Sequence, residues 1–232
     1  MQVSKRFLKF QWVVLTLIFL VVFAGSFVRM SGSGMGCPDW PKCFGQWVPP
    51  TELTELPADY REAYLLKRQK KVEKFCAFLV KIGFDQTAER IKNDPSVYVE
   101  EAFNARKTWT EYINRLAGFL AGNAMLLSFA WLLLFYRKKK WLFLTGLNLL
   151  LMGVEAWFGS IVVATNLVPW TITIHLFLAL VIIGLQLYFI HQIRHHSLNE
   201  TPQNRSFQIL SWLILLITFY QMFLGTQVRE SI

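Results

Sequence analysis

The stretch FLKFQWVVLTLIFLVVFAGSFV, residues 7–28, carries a single charge, Lys9, in an otherwise apolar run. About 20 apolar residues of helix cross the hydrocarbon of a bilayer, so this stretch reads as a transmembrane helix. Four more segments of the same character follow. The chain is laid out as a helical segment 1–28, a long loop 29–109, and helical segments 110–136, 141–163, 171–193 and 207–227. Hydrophobic residues make up 54% of the chain and the mean hydropathy is +0.36, more than a soluble domain of this length carries. The fold class is an all-α integral membrane protein: a four-helix transmembrane bundle, a fifth helix that begins a second, repeated bundle, and a helical extracytoplasmic insert. A cleaved signal peptide is the alternative for the first helix, with Lys5, Arg6 and Lys9 ahead of an apolar core and Val22-Phe23-Ala24 as a cleavage site. The run continues through Phe27 and Val28, past the length of a typical signal core.

Short-loop charge gives the orientation. Lys5, Arg6 and Lys9 precede the first helix, Arg137 to Lys140 join the second and third, and Arg194 and Arg205 flank the fourth and fifth. By the positive-inside rule these ends are cytoplasmic, which puts residues 29–109 and the turn at 164–170 outside. The charges of the long loop nearly cancel, so the net +9 comes largely from the cytoplasmic ends. A nucleic-acid partner is therefore not implied.

The loop opens SGSGMGCPDWPKC, with Cys37 and Cys43 in a segment bent by Pro38 and Pro41. On the oxidising side of a membrane such a pair is well placed to form a disulfide. Further on, Asp59 can cap a helix to about Ile82 with an apolar stripe at Val72, Phe75, Leu79 and Ile82, and a second short helix spans 85–93. The insert reads as a helical cap over the bundle or as a partner-binding domain. Cys76, beside the stripe, reads as a buried, unpaired thiol.

The chain also repeats itself. Gly25-Ser26-Phe27-Val28-Arg29 ends the first helix and Gly225-Thr226-Gln227-Val228-Arg229 ends the fifth, at the same boundary and with the same polarity. A four-helix unit duplicated in parallel has this form. The chain then stops one helix into its second unit, and the 232-residue form reads as incomplete.

Ionisable groups inside spans are expensive and point to function. Glu111, Asn114, Gly118 and Gly122 share one face of the second helix. The two glycines mark either close helix contact or a slot cleared for a flat ligand. On the fourth helix, His175 lies near the outer end with Ala179 and Gln186 on its side; it is a packing histidine or a metal ligand. Its depth matches that of Glu111 and Asn114. The third helix adds Asn148, Glu155 and Gly159 on one stripe, while His191, His195 and His196 fall at the cytoplasmic end.

Together, GSFVRMSGSGMGCPDWPKCFG (25–45), EYINR at Glu111 to Arg115, VATNLVPWTITIHLFLAL around His175 and LGTQVRE near the end resemble the heme A synthase family. These membrane enzymes oxidise a methyl group of heme O to the formyl group of heme A. The resemblance implies two similar four-helix halves, with the substrate heme in the first half near the outer face and a heme b in the second, held by two His on helices this chain lacks. It implies Glu111 as the carboxylate essential to oxidation, His175 as an axial iron ligand, and Cys37 with Cys43 as an outer-loop pair, either structural or redox-active. Arg29 and Arg115 are candidates for the heme propionates, with lipid phosphate or loop carboxylates as their other partners. One departure stands out: the family motif reads Glu-x-x-His-Arg, and this chain has Asn114 in place of the His. An amide is a poor ligand for heme iron. His175 then binds alone and leaves a position open, unless Asn114 only hydrogen-bonds within a half that has lost firm heme binding. A second departure is Glu155, where the family leads one to expect Gln.

The mechanism expected is stepwise oxidation through an alcohol and a hydrated aldehyde, with Glu111 accepting a proton or stabilising cationic character at the reacting carbon. Expected partners are heme O, membrane lipid, and a second copy or a heme O synthase, in the cell inner or plasma membrane. Two other functions remain open at this point: a quinone-linked disulfide oxidoreductase using Cys37 and Cys43, and a non-catalytic heme-binding or assembly subunit.

Overall fold

The first long helix starts and stops on recognisable signals, whereas Asp59 precedes the insert helix without making a side-chain capping bond. Ser4 begins the first, its Oγ accepting the Phe7 N–H at 3.1 Å, and Gly32, at φ 63°, turns the chain away after the last turn. The computed structural model describes residues 3–39, 41–99, 102–195 and 205–227. Within them lie α1 (Lys5–Met30), α2 (Tyr60–Lys81), α3 (Asp85–Asn93), α4 (Ala105–Phe135), α5 (Lys139–Ala164), α6 (Pro169–His195) and α7 (Arg205–Gln227). Asn104 caps α4 by accepting the Lys107 N–H at 3.2 Å. That helix therefore begins before position 110, because its first turns are polar and are invisible to a count of apolar residues.

Among the described residues four helices, α1, α4, α5 and α6, are long and apolar enough to cross a membrane. The protein is a multi-pass membrane protein. Each of α1 and α5 packs against both α4 and α6, which closes a ring with α4 and α6 across its diagonal. The apolar part of α7 among the described residues, Trp212–Gly225, is shorter. This helix packs on α6, with Phe177 and Phe219 ring centroids 5.5 Å apart, and leaves most of its described apolar residues exposed. Of the repeated pentapeptide, Val228 and Arg229 lie outside the described residues, as does His196.

One end of the ring is sealed by aromatic and aliphatic side chains: Phe7, Leu132, Trp141, Phe189 and Ile193 are all buried there. Above it, a buried polar network takes one side chain from each helix. Gln11 of α1 accepts from Ser128 of α4 at 3.0 Å and from Gln186 of α6 at 3.1 Å, and Asn148 of α5 donates to Gln186 at 3.3 Å. In hydrocarbon these amides have no water to turn to, so pairing across helices sets the relative heights of all four. Asn148 and Gln186 belong to this network and not to the layer of His175, which lies about 16 Å further along α6 at 1.5 Å per residue.

At the other end the insert packs onto the bundle. Val72, Phe75, Cys76 and Leu79 of α2 form one core with Ala88, Ile91 and Val97, and with Phe158, Ile161, Val162 and Ile172 of α5 and α6. Ile82 does not join them: α2 stops at Lys81, Gly83 takes φ 88°, and Ile82 is left 49% exposed. Cys76 is a buried free thiol beside the Ala88 carbonyl. The insert thus caps the ends of α5 and α6 that lie away from the Phe7–Phe189 seal.

Candidate functional site

The loop after α1 is moulded onto the first turns of α4. A Cβ at Gly36 would come within 2.5 Å of the Lys107 carbonyl, so only a glycine lets the two backbones approach this closely. Thr108 Oγ1 donates to the Gly36 carbonyl at 2.9 Å. One residue further, Cys37 is joined to Cys43 by a disulfide, and its N–H donates to Glu111 Oε2 at 2.8 Å. The Arg115 guanidinium, one turn along α4, pairs with Glu111 Oε1 and donates to the Asp39 and Cys37 carbonyls. Glu111 is 3% exposed, and both carboxylate oxygens are held. The loop continues to α2 through Phe44, whose ring meets Tyr60, Tyr64 and Phe103 edge-on.

Beneath the loop a cavity of about 1560 Å³ opens between the helices, exceeding the roughly 300–1,000 Å³ of ordinary small-molecule pockets. Glu111 and Asn114 line it from α4 and His175 lines it from α6, across the diagonal. Gly118 and Gly122 line it too, and a Cβ on either would meet nothing within 4 Å. These glycines therefore clear space rather than seat a neighbouring helix. The Asn114 Oδ1 is buried with no hydrogen-bond partner among the described residues, near the bare Gly25 of α1. From α5, Glu155 Oε1 lies 3.0 Å from His175 Nδ1, and Gly159 leaves the imidazole room against its backbone.

The mouth of the cavity is positive. Arg29 and Arg115 line it, as the sequence reading expects, and α2 adds Lys67, Arg68 and Lys71. Those three escape a sequence reading because they look like the solvated face of an amphipathic helix. The available signal is four cations within the five residues 67–71, directly flanking the apolar stripe. Lys71 is exposed, but into the cavity: surrounding protein and then the Arg115 charge push its ammonium pKa down. Arg29 also reaches α7, donating to the Gly225 carbonyl at 3.5 Å. His191 is exposed at the far end of α6, outside this cavity.

A family model described as cytochrome oxidase assembly protein matches residues 9–79 and 81–232. A heme A synthase of Bradyrhizobium sp. (strain ORS 278) is 25% identical over 226 residues, covering 93% of this chain and 54% of that protein. A heme A synthase of Shewanella oneidensis is 48% identical over 44 residues, covering 18% of this chain and 13% of that protein. The chain thus spans about half the length of the Bradyrhizobium relative. No solved structure matches it. With a family match running through nearly every residue that builds the cavity, the chain belongs to the family of cytochrome oxidase assembly proteins.

Proposed function

We propose that this chain forms the half of a heme A synthase that holds the substrate heme and oxidises its methyl group to a formyl group. The observation that carries this reading is the cavity itself. It is wide, glycine-cleared and apolar below, has one histidine on α6, and faces a buried carboxylate on the opposite helix. A flat macrocycle fits such a slot, and His175 fits its iron. Heme O is the substrate, and when bound it supplies the iron that His175 would ligate and the methyl carbon that is oxidised.

The chain's own residues divide the remaining work. Glu111 presents a carboxylate at the cavity wall, in a low-dielectric site where it stabilises positive charge or takes a proton at the reacting carbon. Arg115 and the Cys37 N–H hold that carboxylate in place. Arg29, Arg115, Lys67 and Lys71 at the mouth suit the two propionates of the macrocycle. Asn114, opposite His175, supplies a hydrogen-bonding amide where a second imidazole would close the site, which supports a heme ligated by His175 alone. The Cys37–Cys43 bridge serves this scheme as a staple that keeps the loop on Glu111. The family match does not favour quinone-linked disulfide exchange as the main activity. A heme b, where the resemblance puts one, belongs to the second half and is assigned to no residue of this chain.

The same reading puts the N-terminus in the cytoplasm and residues 29–109 outside the cell inner or plasma membrane. The exposed apolar face of α7 is then left for lipid, for the second half, or for a partner such as a second copy or a heme O synthase. The direct test is Glu111→Gln, assayed in native membranes. An amide still accepts the Cys37 N–H, so heme absorbance is expected to persist while the formyl product disappears from the mass spectrum of extracted heme. Formyl formation at the parental rate would remove Glu111 from the chemistry.

A further inference from the structure

We propose that Glu155 is the positioning residue for His175, accepting a hydrogen bond from Nδ1–H and so presenting Nε2 to the iron of a heme in the cavity. The inference rests on the reading of His175 as an iron ligand. Four observations on α5 support it. Glu155 Oε1 lies 3.0 Å from Nδ1, within hydrogen-bond reach. Among the described residues Nδ1 makes no hydrogen bond of good geometry, with Glu155 Oε1 the acceptor beside it, and the second carboxylate oxygen, Oε2, is buried without a partner, so neither group is committed elsewhere. One turn along, a Cβ at position 159 would stand 3.1 Å from Cε1 and 3.5 Å from Nε2, so glycine there lets the ring lie close to the helix. Phe158 closes one side, its ring 6.5 Å from the imidazole and tilted by 31°. Residues 155, 158 and 159 thus form a seat that fixes the plane of the ring.

The chemistry follows from the two nitrogens of imidazole. A neutral ring donates from one and offers its lone pair from the other, and whichever nitrogen donates decides which is left for a metal. Ligating histidines almost always give their second N–H to a carboxylate, a carbonyl or water, which locks the tautomer and raises the basicity of the ligating nitrogen. A carboxylate accepts more strongly than the amide of glutamine does. Glu155 therefore holds the imidazole more firmly, and makes it a stronger donor to iron, than Gln would at this position.

The test uses the chain in lipid nanodiscs loaded with ferrous protoheme, comparing the parent with Glu155→Gln, Glu155→Leu and His175→Ala. The iron–histidine stretching band in resonance Raman spectra and the heme midpoint potential are read in each, alongside thermal unfolding. Glu155→Gln is expected to move the band to lower frequency and the potential upward, with its unfolding midpoint unchanged. Glu155→Leu is expected to do both to a greater extent and to weaken heme affinity by about 10–100-fold. If the band and potential in both Glu155 variants match the parent while His175→Ala loses the band, the role of Glu155 is overturned and the ligand reading stands. If His175→Ala keeps the parental band and affinity, or the parent takes up no heme, the ligand reading itself falls. A six-coordinate iron hides the band, and the potential then decides in the same way. A purely structural role for Glu155 would move the unfolding midpoint and leave the band where it was.

Discussion

Glu111 ties three things together: the disulfide loop, the first polar turns of α4 and the cavity wall. Its pairing with Arg115 is legible in the sequence, since residues four apart share a helix face. Its bond from the Cys37 N–H is not, because 74 positions separate the two and only the loop's close packing at Gly36 brings them together. A buried carboxylate that loses its cation is costly, by about 3–5 kcal/mol where both partners are well buried. Arg115 is 16% exposed, so Arg115→Ala is expected to destabilise the protein by somewhat less, about 2–3 kcal/mol. Thermal unfolding of the purified protein in detergent measures this. Arg115→Lys keeps the charge but not the forked geometry that spans Glu111 and two carbonyls, and it should fall between Ala and the parent.

At the scale of the element, α4 shows how one helix can be both wall and slot. Gly118 and Gly122 are spaced like a helix-packing seam, and the sequence leaves the two meanings open. The structure separates them, because a Cβ at either position meets open space. Glycine inside a helix costs about 0.5–1 kcal/mol relative to alanine, so Gly122→Ala is expected to raise stability by up to that amount. Gly122→Leu should preserve folding but fill the slot and abolish heme uptake, read from the optical spectrum of the purified protein. A seam would behave oppositely, with Gly122→Ala already destabilising. The same helix starts before the position at which apolarity alone would begin it. Those extra polar turns receive the loop and set Glu111 at the level of the cavity.

Among the described residues a ring of four helices carries the insert at one end, is sealed at the other and has α7 packed on α6, and its orientation in the membrane is directly testable. Burial pushes the Cys76 thiol pKa up and Cys37 is bonded to Cys43, so the native cysteines form a quiet background for thiol labelling. A membrane-impermeant maleimide at pH 7 should label Lys81→Cys in intact cells, label Lys139→Cys only after the membrane is opened, and leave Cys76 unmodified until the protein unfolds. Labelling of Lys139→Cys in intact cells would invert the topology. Hydrophobicity and terminal charge are sums over local residues, and they suffice to determine the membrane class, the helical segments and the expected orientation. The disulfide pair, the insert helices and the residues Glu111, Asn114 and His175 are likewise legible, because polar groups and paired thiols are conspicuous against an apolar background. What only the tertiary structure decided is which groups meet. Hydrocarbon offers the side chains no water, so partners must be found on other helices. Thus Asn148 and Gln186 are drawn into a network with Gln11 and Ser128, and Glu155 is set against His175; apart from the spans, the packing of Val72, Phe75 and Leu79 turns the basic flank of α2 over the cavity.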